Sequence, residues 1–271
     1  MTSALLPFVD AAAAAQRLTP IERRGDYYVK RDDLYSVAGV VGGKVRTCLE
    51  LADGATGLVT AGSRSSPQVN IVAHIARAIG VPCRVHTASG RLSPEVEQAK
   101  ACGAEVIQHR PGYNSVIIKR AVDDARERGW RNVPFGMECQ EAVEQTASQV
   151  ADVPTDVARV VVPVGSGMSL AGILSGLRRE GSRLRVLGVV VGADPRRRLD
   201  RYAPGWAERV DLVEAGLRYD QVASGTWEGL TLDPIYEAKC VRHLRPADLF
   251  WVVGIRATAQ ATVLGSFQQG R

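Results

Sequence analysis

The stretch Tyr28-Val-Lys-Arg-Asp-Asp-Leu34, followed by Val40-Val-Gly-Gly-Lys-Val-Arg46, says most about how this chain is built. A short β-like run ends in charged residues, passes through a glycine pair and delivers Lys44 at a helix start. Glycines ahead of a lysine let the backbone turn sharply and come close to a ligand. A helix beginning there turns N–H groups outward, which suits an anion. A lysine shielded from water loses its proton more easily and becomes a nucleophilic amine. Taken alone, the same residues also describe a solvated first-turn lysine. A second, anion-binding loop elsewhere in the chain is what separates the two.

That loop is Val162-Pro-Val-Gly-Ser-Gly-Met-Ser-Leu-Ala-Gly172. A strand ends at Val164 and a helix begins near Ser169. Gly165 and Gly167 let backbone N–H groups converge across Ser166 and Met168, Ser166 and Ser169 add hydroxyls, and the helix N-terminus adds partial positive charge. The result is a phosphate cradle. It lacks the lysine of a nucleoside triphosphate P-loop. Its third glycine, Gly172, falls two places late for a dinucleotide fingerprint. A structural turn that packs a helix close to a sheet is the other way to read the same residues.

Working outward, strand-like runs alternate with helical patterns. Strands are expected at 57–61, 83–87, 104–108, 133–135, 159–163, 184–191 and 249–253. Helices are expected at 69–79, 94–102, 114–128, 138–150 and 169–179, several of them closing on glycine. Such alternation with apolar strands predicts parallel sheets covered on both faces. The fold class is therefore α/β, with two lobes, a split near 152–155 and a cleft between them. The alanine run 11–15 reads as a helix. Residues 194–231 carry no clear period.

The chain has 271 residues, 45% hydrophobic and 23% charged, enough for a sizeable core in one large or two smaller domains. No apolar run is long enough to span a bilayer, and no basic segment marks a signal peptide. Five scattered cysteines without a CxxC pair argue for a reducing, cytoplasmic setting and against a zinc site. The four histidines lack metal-ligand spacing, so no metal is assigned. Net charge is +5, which permits attraction to nucleic acid or to anionic substrates. Only Lys30, Lys44, Lys100, Lys119 and Lys239 supply side-chain amines.

In this order, the motifs resemble those of the fold-type II, tryptophan synthase β-like enzymes that use pyridoxal 5'-phosphate (PLP). The branch of 1-aminocyclopropane-1-carboxylate deaminase and D-cysteine desulfhydrase is the most similar. Lys30-Arg-Asp-Asp-Leu34 is similar to the family's Lys-Arg-Glu-Asp run, and Gly42-Gly-Lys-Val-Arg46 to its Gly-Gly-Asn-Lys-x-Arg. Gly165 to Ser169 resembles its phosphate loop. Leu232-Asp-Pro-Ile-Tyr-Glu-Ala-Lys239 resembles its Leu-Asp-Pro-Val-Tyr-x-Gly-Lys. The resemblance implies that Lys44 is the Schiff-base lysine and that Gly165, Ser166, Gly167, Met168 and Ser169 hold the phosphate. It also implies that Tyr236 lies over the substrate and that Glu237 meets the pyridine nitrogen. The larger, cofactor-binding domain is then 1–48 with 153–271, and the smaller is 49–152.

The chain departs from the family in several places. Gly43 stands where the family has asparagine. Ser66-Pro67-Gln68 replaces Ser-Asn-His, so Ser66 can keep its place near the substrate carboxylate. Pro67 offers neither an amide side chain nor an N–H, and Gln68 or Asn70 is the candidate to compensate. Gly254-Ile-Arg-Ala257 replaces His-Thr-Gly-Gly, so Arg256, if turned inward, would make the pocket cationic and favour an anionic or polar substrate over the cyclopropane compound. The expectation is a PLP-dependent lyase or deaminase, a homodimer, acting on a small amino-acid-like molecule. Two alternatives stand beside it: a PLP enzyme modifying an amino-acid adduct on a nucleic acid, and a PLP-fold binding protein without catalysis.

Overall fold

The computed structural model describes residues 17–256; the expected helix at 11–15 lies outside the described residues. In chain order the elements are β1 (Ile21–Arg24), β2 (Tyr27–Arg31), α1 (Gly43–Ala52), β3 (Leu58–Ala61), α2 (Pro67–Ile79), β4 (Cys83–Ala88), α3 (Pro94–Ala101), β5 (Glu105–His109), α4 (Asn114–Arg128) and β6 (Arg131–Val133). They continue with α5 (Gln140–Ala147), β7 (Arg159–Val164), α6 (Met168–Arg179), β8 (Arg185–Val190), α7 (Arg196–Tyr202), β9 (Val210–Glu214) and β10 (Asp248–Val252).

The described chain forms two compact units. The larger comprises Leu18–Tyr35, Val41–Gly43 and residues 136–256; the smaller comprises Arg17, Ser36–Val40 and Lys44–Phe135. The larger holds a six-stranded sheet in the order β1-β2-β10-β7-β8-β9. Only the β1–β2 hairpin is antiparallel; β2, β10, β7, β8 and β9 run parallel. Strand β7 is central because Val160, Val161, Val162 and Val164 are buried on both of its faces. The next strand in sequence, β8, lies on one side of β7, and the last strand, β10, on the other. This reversal of direction places the loop after Val164 at a switch point, where open α/β sheets bind ligands.

The smaller unit holds a four-stranded parallel sheet in the order β5-β4-β3-β6. Its helix α4 packs Ile117, Ala121 and Ala125 against Val59 and Ala61 of β3. Helix α2 starts cleanly because the Ser66 hydroxyl accepts the Gln68 N–H and Pro67 needs no donor partner in the first turn.

The expected parallel α/β architecture is the observed one, with three local differences. The fourth strand sits at Arg131–Val133 rather than 133–135, since Pro134 cannot donate to the ladder. The stretch 194–231 contains α7 and β9, which no local periodicity announced. The unit boundaries differ from 1–48 with 153–271 and 49–152: Ser36–Val40 and residues 44–48 belong to the smaller unit, and residues 136–152 to the larger. There α5 and the turn after it lie hard against α6. A Cβ on Gly172 would come within 2.4 Å of Thr146, and one on Gly176 within 2.5 Å of the Ala147 carbonyl.

Candidate active site

In the larger unit, the loop after β7 is shaped by glycines that no other residue could replace without movement. Gly167 has φ +92° and caps the start of α6. A Cβ there would lie 3.0 Å from Pro195 Cβ, and one on Gly165 would lie 2.9 Å from Tyr236 Cε1. The first α6 backbone bond runs from the Ala171 N–H to the Gly167 carbonyl. The amides ahead of it, through Met168 and Ser169, have no acceptor within the helix. Ser166 Oγ donates to the Gly136 carbonyl at 2.8 Å, so its proton holds the loop together and its backbone N–H is what it can offer an anion. Ser169 is half-buried in the first turn.

Beside this loop lies the turn that carries Tyr236 and Glu237. Asp233 Oδ1 accepts the N–H groups of Ile235 (2.8 Å) and Tyr236 (3.1 Å), bracketing Pro234. Glu237 is 1% exposed. Its Oε1 accepts from the Val253 and Gly254 amides at 3.1 and 3.3 Å. Its Oε2 is buried without a hydrogen-bond partner among the described residues. Burial, and then the charge of Asp233, push the Glu237 carboxyl well above the usual carboxylate range. The Tyr236 hydroxyl is likewise pushed well above its ordinary value, first by burial and then by Tyr219. The two phenol oxygens are 3.1 Å apart, with the rings edge to face.

Lys44 follows directly from the same backbone. Gly42 has φ +107°, and a Cβ there would lie 3.0 Å from both Gly254 Cα and the Val253 carbonyl oxygen. The Gly43 N–H donates to the Val253 carbonyl at 2.9 Å. The glycine pair is thus tied to the peptide units that hold Glu237, and Lys44 is the next residue, in the first turn of α1.

In the smaller unit, Ser66, Gln68 and Asn70 cluster at the start of α2. Gln68 Nε2 donates to Thr60 Oγ1 (3.0 Å) and to the Pro134 carbonyl (2.7 Å), which engages both of its N–H groups. Asn70 Nδ2 donates to Gln98 Oε1 at 2.8 Å, while its Oδ1 is buried without a partner among the described residues. Ser66 accepts from Gln68 and keeps its own proton to give.

Two partnerships escaped the sequence. Tyr219 lies in the stretch without a legible period, so nothing local linked it to Tyr236. Arg256 is 7% exposed and its Nε donates to Asp233 Oδ2 at 2.8 Å, a pairing the sequence did not announce.

PLP would require amides for its phosphate, a carboxyl for its ring nitrogen and an amine. The glycine cradle, the unpartnered buried oxygen of Glu237 and Lys44 fit those requirements. The family described as pyridoxal-phosphate dependent enzyme matches residues 13–237. A 1-aminocyclopropane-1-carboxylate deaminase of Burkholderia cenocepacia (strain HI2424) is 27% identical over 272 residues, spanning 81% of this chain and 80% of that protein. The crystal structure of an ACC deaminase homologue superposes with a TM-score of 0.75 at 23% identity, covering 92% of this chain and 94% of the other. Threonine deaminase isoform 2 from Solanum lycopersicum has a TM-score of 0.65 at 14% identity, covering 97% and 87%. Those two structures share the fold with this chain.

Proposed function

The chain belongs to the family of pyridoxal-phosphate dependent enzymes, and on that premise we propose that it is a lyase or deaminase acting on a small amino acid. The observation that carries this is the buried Glu237 oxygen without a partner, held on the turn that presses Tyr236 against the glycine loop. When bound, PLP supplies an aldehyde that captures amines and a ring that draws electrons from the bonds at the amine carbon.

The chain's own residues do the rest. Lys44 would be the amine that holds the cofactor, and its amine would take and return a proton at the substrate carbon. Amides from Gly165 to Ser169 would bind the phosphate, Met168 among them with its side chain buried at 3% exposure. Glu237 would hold the ring nitrogen through Oε2: its carboxyl, with raised proton affinity and its Oε1 already bonded to two amides, would keep a proton on that contact. Tyr236 remains protonated at neutral pH and is a hydrogen-bond donor over the substrate. Ser66, at the head of α2, receives the substrate carboxylate. Gln68 has no N–H left for a ring hydroxyl, which leaves Asn70, whose Oδ1 is buried without a partner among the described residues, as the other candidate to compensate.

Titrating the purified protein with PLP and then with a panel of small amino acids tests this. An absorbance band that forms with PLP and shifts with at least one amino acid, with release of ammonium and a 2-oxo acid, is expected. A band that no amino acid moves, without product, overturns it.

A further inference from the structure

Arg256 stands in the segment where the chain departs from the family it resembles, and the structure gives it a definite task. Asp233 is 2% exposed, and its carboxylate has four donors. Oδ1 takes the Ile235 and Tyr236 amides. Oδ2 takes the Arg256 backbone N–H at 3.2 Å and its guanidinium Nε at 2.8 Å. The guanidinium thus grips the back of the carboxylate whose front forms the Pro234 turn. The next residues along that turn are Tyr236 and Glu237. The segment entering Arg256 begins at Val253 and Gly254, whose amides hold Glu237 Oε1. Arg256 therefore closes a ring of contacts: Asp233, the 235–236 turn, Glu237, the 253–254 amides, and back to Arg256.

We propose that Arg256 is a positioning residue for the cofactor: by pairing with Asp233 it fixes the turn that aims Glu237 Oε2 and Tyr236. This deepens the proposed function and rests on its assignment of Glu237 to the ring nitrogen. Charge matters as well as geometry. A buried carboxylate stripped of its cation must take up a proton, move, or stand uncompensated. In each case the field at Glu237 changes, because Asp233 is the charged neighbour that acts most on it. The other groups around this ring are Asp33, paired with Arg31, together with Lys239, Cys240 and Tyr219.

PLP itself is the probe. The measurements are its dissociation constant and the absorbance spectrum of the bound form between pH 6 and 9, on the full chain. Arg256→Met is expected to weaken PLP binding by about ten- to a hundredfold and to alter the spectrum or its pH dependence. Arg256→Lys should restore part of the affinity, since it returns the charge without the planar fork. Asp233→Asn keeps an oxygen for the 235–236 amides, so the loss from Arg256→Met should shrink several-fold in that background. An Arg256→Met protein that melts normally and binds PLP with unchanged affinity and spectrum overturns the proposal. So does a loss of the same size with and without Asp233→Asn. Should Arg256→Met fail to fold, the comparison of Arg256→Lys with Asp233→Asn still decides it: equal, unperturbed spectra in both overturn it. Glu237→Gln separates the two levels. If Glu237→Gln perturbs the spectrum and Arg256→Met does not, only this proposal fails; if Glu237→Gln changes nothing, the underlying assignment fails.

Discussion

At Lys44, Glu237 and Gly167 the proposed chemistry would rest on single side chains or on the lack of one. Lys44→Ala should abolish covalent attachment of the cofactor: borohydride reduction followed by peptide mapping labels Lys44 in the parent protein and no lysine in the variant. Label on Lys30 or Lys239 instead would reject the assignment. Gly167→Val confronts a backbone at φ +92° and a Pro195 carbon 3.0 Å from the new Cβ. The substitution therefore strains the loop and blocks close approach of an anion, at a cost of about 1–3 kcal/mol in the loop alone. PLP retention through gel filtration should fall at least tenfold, while inorganic phosphate should cease to compete with PLP for the cradle. The glutamate works by the opposite logic. It is costly to bury with an oxygen unpartnered, and such a feature persists where a ligand completes it.

Among the elements, the contact of α5 with α6 and the docking of α4 on its sheet carry the clearest consequences. Gly172 and Gly176 sit one turn apart on α6 and let the two helices approach until a methyl group no longer fits. Gly176→Ala would press a Cβ toward the Ala147 carbonyl, 2.5 Å away, and backbone cannot swing aside as a flexible side chain can. The variant should lose about 1–3 kcal/mol of stability in urea unfolding, against the gain that Gly→Ala brings in an open helix; a gain would show that α5 shifts freely. In the smaller unit, Asp124 of α4 receives Arg84 Nε (2.6 Å) and His86 Nε2 (2.9 Å) from β4, and Arg128 Nε (2.9 Å) from its own helix. Burial pushes its carboxyl up, but those three hydrogen bonds outweigh it and hold the group at about 2. A carboxyl depressed in the folded state stabilises it fully above the unfolded value of 3.8, and the contribution fades as pH falls toward 2. The acid limb of a stability-against-pH curve should therefore carry about 2 kcal/mol from Asp124. Asp124→Asn should flatten that limb between pH 4 and 2 and leave its shape above pH 5 unchanged; an identical acid limb would refute the linkage.

For the whole molecule, the cofactor is a stabilising ligand. Whatever binds the folded chain and not the unfolded one raises stability by RT ln(1 + [L]/Kd), about 2.7 kcal/mol at a hundredfold excess over Kd. Saturating PLP should lift the melting temperature by several degrees in a chain of this size, and Glu237→Gln should reduce that lift without greatly changing the melting of the cofactor-free protein. A melting curve indifferent to PLP would count against the site. The homodimer expected for this chain is measured by light scattering on the full 271 residues, where a mass of one chain rejects it. Several arginines sit in ion pairs, Arg196 with Asp194, Arg198 with Glu138 and Arg185 with Asp211. Each is worth little in stability at the surface.

The β–α alternation and both glycine loops were legible because each is local, whereas the Asp-Pro-Ile-Tyr-Glu run was read through its resemblance to the family. Period, turn chemistry and helix-start residues act over a few neighbours, so composition along the chain carries them. The parallel sheets followed from that. The role of residues 136–152 did not, because whether α5 joins one unit or the other depends on small residues a helix away rather than on α5 itself. Nor did the pairing of Asp233 with Arg256, 23 positions apart, or of Tyr219 with Tyr236, 17 apart. An arginine in a loop reads alike whether it faces a ligand or neutralises a buried carboxylate. Which of the two it does depends on the path of the backbone that returns it to Asp233, since the strength of an ion pair depends on distance and burial, and neither is written in the order of residues. Tertiary structure alone showed that Arg256 pairs with Asp233, the carboxylate that also holds the Ile235 and Tyr236 amides.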